Sequence, residues 1–279
     1  MSKIEFSPMP LASWQATYET LALYGKLVGK VRRALTPKQK HWWHISLRAG
    51  ATGLTTTPIP AGAEADAHTF EMLLDLTNHQ LVITNSSGEQ SKTPLEGQSI
   101  ADFCDETLNA LAAMGIQPDM ERSLFSDTAP RVYDPAAVAR YWGVLSQIDL
   151  IFKEFKGALR RETSPVQLWP HHFDHAFLWF SGRLVPSYDP ENEEYADEQM
   201  NFGFVPGDDT YPDPYFYVTA YPAPEGFSQQ PLPKDAFWRQ EGWTGAIMMY
   251  DALVGAQTPK QKLLDYLHAA HQAGSSLMK

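Results

Sequence analysis

The stretch QLVITNSSGEQSKTPL, residues 80–95, carries the local pattern that decides the fold class. Its apolar residues lie before and after NSSGE, a run of turn-forming residues that indicates the tip of a β-hairpin. FEMLLDL (70–76) comes shortly before it and also has the composition of a strand. Short connections join antiparallel neighbours, whereas parallel strands need long crossovers. We therefore predict an α+β fold with mainly antiparallel sheets and long helices packed on them.

Helix signals flank the predicted strands. The longest helices are predicted over residues 13–35 and 134–159, where apolar residues recur at steps of three and four behind a capping residue. Ser99 is predicted to cap a shorter helix, with Asp102 three residues on as in a capping box. A closing helix is predicted to begin after Thr258. Each half of the chain therefore has the order helix, strands, helix.

Further strands are predicted at 41–49 (HWWHISLRA), 165–170, 173–181, 200–205, 214–222 and 243–250. We expect an N-terminal α+β half, residues 1–128, and a C-terminal α+β half, residues 129–279, which together form one compact unit. The repeated order of elements would fit an old duplication, although no residue-level repeat accompanies it.

The acidic charge of the chain is concentrated in one stretch. The net charge is −11, and residues 184–233 contain ten Asp or Glu and no Lys or Arg. This stretch would repel phosphate backbones, so nucleic acid is not a predicted partner. It also carries ten aromatic residues. Because aromatic side chains bury enough area to offset the entropy of ordering, we predict an ordered region.

The cysteine count and the hydropathy of the sequence indicate the cellular compartment in which the protein resides. Cys104 is the single cysteine, so no intramolecular disulfide can form, which is typical of a cytoplasmic protein. It lies on the apolar stripe of a predicted helix, where we expect a buried and unreactive thiol. No stretch approaches the roughly 20 apolar residues of a spanning helix, so no membrane contact is predicted. We predict a cytoplasmic protein.

WPHHFDHAF (169–177) places three histidines and one aspartate in five consecutive positions. If the stretch is extended, alternation puts His172 and Asp174 on one face of a strand. They could then act as a catalytic pair, a general base and its partner. They could instead provide two ligands of a metal site, with a divalent metal as cofactor and a third ligand from elsewhere. The alternative is a polar strand end beside an aromatic core.

Further candidates for ligand binding are His171, Arg183, His41, His44, Tyr215 and Tyr217. The two histidines of HWWH could supply a metal ligand, but they would face opposite sides of a regular strand. The two tyrosines alternate to one face of their strand and could line a pocket. The arginine could pair with a carboxylate on a ligand, with Asp174, or with the acidic stretch.

Blocks spread over the chain resemble those of a known family. They are LASWQATYETL, HWWHISL, TTTPIP, SPVQLWPHHFDHAFLWFSGR, NFGFVPGD and PYFYVTAYP. In this order they are similar to a bacterial family catalogued as domain of unknown function 5996, over nearly the whole chain. The resemblance implies a full-length bacterial family without an assigned activity. The family pattern matches HHFD here, whereas His175 stands where a leucine is usual, which implies that this histidine is dispensable for function.

Two classes of function remain open. The first is a small-molecule or metal site around HHFD, with an enzymatic role undecided. The second is a non-catalytic binding or assembly protein that uses an aromatic surface toward a partner or in a homo-oligomer. A cleft that joins His172 and Asp174 to another polar group would favour the first class, and a flat aromatic patch the second.

Overall fold

The computed structural model describes residues 5–61, 68–192 and 194–278, which cluster into two compact units. The N-terminal unit comprises residues 14–142 and 167–173. The C-terminal unit comprises the described residues within 5–13, 143–166 and 174–278. The division into halves 1–128 and 129–279, and their origin by duplication, stay predictions.

The N-terminal unit combines long helices with an antiparallel sheet. Its elements up to residue 113 are α1 (Gln15–Leu35), β1 (Arg48–Ala49), β2 (Gly53–Thr55), β3 (Ile59–Pro60), β4 (Thr69–Asp75), β5 (Gln80–Asn85), β6 (Gln90–Pro94) and α2 (Ile100–Ala113). The strand order is β1-β2-β4-β5-β6, and β3 also pairs with β4. All of these pairings are antiparallel.

The predicted hairpin and helix cap are confirmed. β5 and β6 pair from Gln80 opposite Pro94 to Thr84 opposite Gln90, and Gly88 takes a positive φ of 87° in the turn. Ser99 Oγ accepts a hydrogen bond from the backbone N–H of Asp102 at 3.0 Å, as a capping residue does. These features arise from short-range sequence signals, which is why the sequence alone could identify them.

Cys104 lies in the core of the N-terminal unit. The residue is 1% exposed, in agreement with its predicted place on the apolar stripe of α2. Burial raises the pKa of the thiol, and this outweighs the opposing charge and hydrogen bond of Arg122. A thiol with a raised pKa is a poor nucleophile at neutral pH.

The C-terminal unit holds the second sheet. The remaining elements of the chain are α3 (Pro135–Gly157), β7 (Gln167–Trp169), β8 (Asp174–Leu184), β9 (Asp197–Val205), β10 (Tyr215–Tyr221), β11 (Ala236–Arg239), β12 (Gly245–Met249) and α4 (Pro259–Ser275). Within the C-terminal unit the strand order is β11-β12-β10-β9-β8, with antiparallel pairing throughout. The first eight residues of α3, and β7, belong to the N-terminal unit. The predicted α+β class with mainly antiparallel sheets is confirmed.

A buried hydrogen bond between a histidine and a carboxylate connects α3 to β8 in the C-terminal unit. His175 is fully buried, and its Nε2 lies 3.1 Å from Asp149 Oδ1. Lys153 Nζ lies 2.5 Å from Asp149 Oδ2. Burial pushes the pKa of Asp149 upward, but the hydrogen bonds and charges of His175 and Lys153 outweigh it and hold the pKa below its ordinary value. His175 is therefore part of the core of this unit.

The strand predicted at 41–49 is wrong over most of its length. Lys40–Ile45 form a 3₁₀ turn, and strand geometry is confined to Arg48–Ala49. His41 and Trp42 take positive φ angles of 52° and 60°. Residues with a Cβ seldom adopt this backbone conformation. The residue types of this apolar and histidine-rich segment therefore could not predict it.

Candidate functional site

The WPHHFDHAF stretch is not extended along its whole length. β7 ends at Trp169, whose carbonyl oxygen accepts a 2.7 Å hydrogen bond from the backbone N–H of Phe173. Phe173 has a φ of 58°, and β8 begins only at Asp174. Strand alternation therefore does not apply between His172 and Asp174, and the premise that placed them on one face is wrong. Whether either residue takes part in catalysis or metal binding stays a prediction.

His171 and His172 are exposed neighbours in the turn of the N-terminal unit. Their ring centroids are 4.5 Å apart. Desolvation by surrounding protein atoms, together with the charges of His172 and Lys26, lowers the pKa of His171 to about 4. A neutral imidazole can coordinate a metal. However, no group of three or more His, Cys, Asp or Glu is placed to hold a metal ion within residues 5–61, 68–192 and 194–278.

His41 and His44 are both buried in the 3₁₀ turn of the N-terminal unit. The backbone N–H of Gln39 donates to His44 Nδ1 at 3.2 Å, and the ring of Trp42 stacks on that of His44 at 5.6 Å. Because the segment is a turn, the prediction that these histidines face opposite sides of a strand does not hold. Their predicted role in ligand binding is untested.

Arg183 pairs with the acidic stretch. Arg183 lies next to the C-terminal end of β8. Its Nε and Nη2 donate to Glu198 Oε2 and Oε1 at 3.0 and 2.5 Å. This two-point pairing was one of the alternatives that the sequence left open. It engages the guanidinium in a link between β8 and β9, which is an ordinary means of joining neighbouring strands.

Asp174 and Tyr217 meet on one face of the second sheet. The Tyr217 hydroxyl donates a 2.7 Å hydrogen bond to Asp174 Oδ2. Register explains the contact, because Ala176, Gly203 and Tyr217 lie opposite one another on β8, β9 and β10. A Cβ at Gly203 would overlap the tyrosine ring. The glycine thus lets the ring cross β9 and reach the first residue of β8.

The Tyr217 hydroxyl is a hydrogen-bond donor that keeps its proton. Burial, followed by the charge and hydrogen bond of Asp174, raises the pKa of Tyr217 well above its usual value. Asn201 Nδ2 donates to the same hydroxyl at 3.3 Å. Asn201 Oδ1 is buried and accepts no hydrogen bond from the described part of the chain. A carboxylate acceptor and an amide donor therefore converge on one phenol.

A second phenol and carboxylate lie beside the first pair. Tyr215 donates to Asp208 Oδ2 at 2.7 Å, and its ring centroid is 6.4 Å from that of Tyr217. Burial, and then the hydrogen bond and charge of Asp208, raise the pKa of Tyr215 far above its usual value. The shared face predicted for the two tyrosines is confirmed by their positions two residues apart on β10.

Aromatic side chains border the two pairs. Trp243 lies 6.4 Å from Tyr217 between ring centroids, and Tyr211 lies 5.0 Å from Tyr215. The Arg239 guanidinium is 5.2 Å from the Trp243 ring and 5.5 Å from the Tyr211 ring. We call this group the tyrosine–carboxylate cluster; its members are Asp174, Asn201, Asp208, Tyr211, Tyr215, Tyr217, Arg239 and Trp243. It can accept hydrogen bonds at its carboxylates, and two of its rings already contact the cation of Arg239, which shows that this aromatic face suits positive charge.

The sequence identified three members of the cluster and missed the rest. Asp174, Tyr215 and Tyr217 were predicted site residues, and the structure brings them together. Asn201 was missed because its contact depends on the register of β9 against β10, and Asp208 was missed because it lies in the connection between these two strands. The glycine in NFGF was the available signal, since a glycine inside a strand often marks the close approach of another group.

The fold and the cluster together define an α+β protein with two antiparallel sheets, one of which carries paired phenols and carboxylates. The chain belongs to the family described as Family of unknown function (DUF5996), whose model matches residues 6–279. This match confirms the resemblance found in the sequence. No match was found among curated proteins or among solved structures. None of the described helices is long and apolar enough to cross a membrane.

Proposed function

We propose that the chain binds a small primary ammonium ion at the tyrosine–carboxylate cluster. The observation that carries the proposal is the buried carboxylate of Asp174, held by the protonated Tyr217 on an aromatic face. A carboxylate attracts an ammonium group, and aromatic rings favour a cation over their faces. The proposal keeps the predicted small-molecule site but moves its centre from the histidines to Asp174.

Unused acceptor capacity supports a ligand with N–H donors. The buried Asn201 Oδ1 has no donor among the described residues, and its amide contacts the same hydroxyl as Asp174. Leaving a buried acceptor unsatisfied costs about 1–3 kcal/mol. An ammonium group could donate to this oxygen and to the carboxylate at once. If the ligand is also a substrate, Asp174 is the group that could accept a proton from it.

The test is an NMR titration of the ¹⁵N-labelled protein with butylammonium, tetramethylammonium and butan-1-ol. We expect butylammonium to shift cluster resonances, tetramethylammonium to bind more weakly because it lacks N–H donors, and the neutral alcohol to bind least. Asp174→Asn should weaken butylammonium binding roughly tenfold or more.

Glu198→Gln is the matched control. It removes a carboxylate from the same sheet outside the cluster, where the carboxylate pairs with Arg183, and it should leave butylammonium binding unchanged. Equal binding of the amine and the alcohol would contradict recognition of a cation. Equal weakening by both variants would mean that overall charge, rather than the cluster, determines affinity.

An exposed aromatic patch favours assembly as the second candidate. Tyr188 and Tyr195 are 41% and 40% exposed, with ring centroids 5.6 Å apart, and Tyr221 lies 5.4 Å from Tyr195. If this patch mediates a homo-oligomer, sedimentation velocity should show a larger species that disappears in the double variant Tyr188→Ser, Tyr195→Ser. A monomer in both proteins would count against assembly.

We infer that the protein binds this ligand in the cytoplasm of a bacterium. A single buried thiol suits a reducing compartment. The excess of acidic residues in 184–233 supports a cationic ligand and disfavours nucleic acid.

A further inference from the structure

Arg239 has unused hydrogen-bond donors beside the tyrosine–carboxylate cluster. Its guanidinium carbon lies over the rings of Trp243 and Tyr211, at 5.2 and 5.5 Å from their centroids. Such contacts hold a guanidinium in place and leave N–H donors for paired hydrogen bonds. Nη1 donates to the Tyr211 hydroxyl at the long distance of 3.4 Å, and none of the described residues forms an ion pair with the group.

The guanidinium can be reached from solvent. Arg239, Trp243 and Tyr211 are partly exposed, and Phe237, two residues earlier on β11, is 43% exposed. Nε is closed off from solvent without a partner, whereas Nη2 is not closed off and makes no hydrogen bond within the described part of the chain. Asp208, whose carboxylate accepts from the backbone N–H of Tyr211, does not pair with the arginine. The cation therefore lies open beside an acidic side chain that binds elsewhere.

Strand register aligns Arg239 with Asn201 of the cluster. Arg239 lies opposite Gly245 on β12, and Gly245 lies opposite Thr219 on β10. Thr219 in turn lies opposite Asn201 on β9. Residues that lie directly opposite one another in antiparallel strands point to the same face of the sheet. Three strand spacings of about 4.8 Å each separate the ends of this row at the backbone, and the two residues between them are small.

Trp243 provides an apolar surface between the two ends of the row. A Cβ on Gly245 would lie 2.5 Å from the indole ring, so the ring lies over the space that the glycine leaves. The same ring is 6.4 Å from the ring of Tyr217 and 5.2 Å from the Arg239 guanidinium. A hydrocarbon chain that lay across the indole would bury apolar surface between the carboxylate of Asp174 and the guanidinium.

We propose that the ligand of the cluster is an ω-amino acid, whose ammonium and carboxylate groups stand at opposite ends of an alkyl chain. The inference rests on the function proposed above and names the ligand class of the same site. Asp174 binds the ammonium end, and Arg239 binds the carboxylate through its paired donors. The carboxylate also offsets the repulsion that a simple amine would meet from the arginine. An α-amino acid carries both charges on one carbon and is too short, because the rings of Tyr217 and Trp243 lie between the two ends.

The test is an NMR titration of the ¹⁵N-labelled protein with 6-aminohexanoate, pentylammonium and glycine. Pentylammonium is 6-aminohexanoate without its carboxylate, and glycine carries both charges on one carbon. We expect 6-aminohexanoate to bind about tenfold more tightly than pentylammonium, and glycine to bind more weakly than either.

Variants identify the group that binds the carboxylate. Arg239→Met should bring the affinities for 6-aminohexanoate and pentylammonium close to each other, because it removes the paired donors and keeps a long apolar side chain. Arg161→Met removes an exposed arginine of the same unit outside the cluster, and it should keep the wild-type ratio of the two affinities. If Arg239→Met does not fold, Arg239→Lys serves instead and should lower the ratio, since lysine lacks the paired donors.

The outcomes separate this inference from the function on which it rests. If pentylammonium binds and 6-aminohexanoate binds no more tightly, the carboxylate contact is wrong and the ammonium site stands. An unchanged ratio in Arg239→Met, or glycine binding as tight as that of 6-aminohexanoate, would also overturn the inference. If neither pentylammonium nor 6-aminohexanoate binds, the ammonium site itself is wrong and the inference fails with it.

Discussion

Replacing Asp149 with alanine is expected to lower the free energy of unfolding by about 3 kcal/mol, because the buried His175 would lose its hydrogen bond to a charged partner. His175 is fully buried, and its Nδ1 already has no hydrogen-bond partner among the described residues. Without Asp149, its Nε2 would lose its acceptor as well. Urea denaturation followed by tryptophan fluorescence would measure the loss.

Lys153 and His175 provide the controls for this prediction. The Lys153 side chain is 49% exposed, so Lys153→Ala should cost less than about 1 kcal/mol. His175→Leu should cost about 1–3 kcal/mol, because Asp149 would lose a buried hydrogen bond. That result would show that this histidine, although expected to be dispensable for function, is needed for stability. A loss for Asp149→Ala no larger than that for Lys153→Ala would contradict the importance of the buried pair.

Replacing Gly203 with alanine is expected to disrupt the tyrosine–carboxylate cluster although no member of the cluster is itself replaced. The new methyl group would overlap the ring of Tyr217, so the ring must move and its hydroxyl must leave Asp174. We expect butylammonium binding to fall roughly tenfold or more and the free energy of unfolding to fall by about 1–3 kcal/mol. NMR titration and urea denaturation measure the two effects.

Gly143 offers a matched glycine in the same unit. It lies in α3, and a Cβ built on it has no neighbour within 4 Å. Gly143→Ala should therefore stabilise the helix by up to about 1 kcal/mol and leave butylammonium binding unchanged. Wild-type affinity in Gly203→Ala would show that the position of the Tyr217 ring does not matter to binding, and the proposed site would have to be abandoned.

Local sequence signals predicted most of the fold. The hairpin at 80–95 follows from its turn residues, the cap at Ser99 from its residue type, and both long helices from apolar periodicity. Ser13, predicted to begin the first helix, does not cap it, because its hydroxyl donates to the Pro10 carbonyl and α1 begins at Gln15. The turn at His41 and Trp42 could not be predicted, because its backbone conformation is unusual for these residue types. Contacts made far along the chain, not preferences of single residues, hold such a turn in place.

The candidate site could be predicted only in part for a similar reason. Alternation on β10 placed Tyr215 and Tyr217 together, since it depends on neighbours in the sequence. The bond from Tyr217 to Asp174 spans 43 positions in the chain. This hydrogen bond depends on the register of three strands, and no local sequence pattern predicts that register. The sequence therefore supplied the residue types of the site but not their pairing.

The interleaving of the two units has a consequence for the gene. The chain passes between the units at residues 13/14, 142/143, 166/167 and 173/174. A fragment beginning at 129 would lack Ser7, whose carbonyl accepts a hydrogen bond from Tyr250, and Phe6, which packs against the Tyr250 ring. No single crossover could therefore exchange one unit intact with a homologous gene. Recombination would be expected to transmit the coding region whole, and libraries of chimaeras should use paired breakpoints.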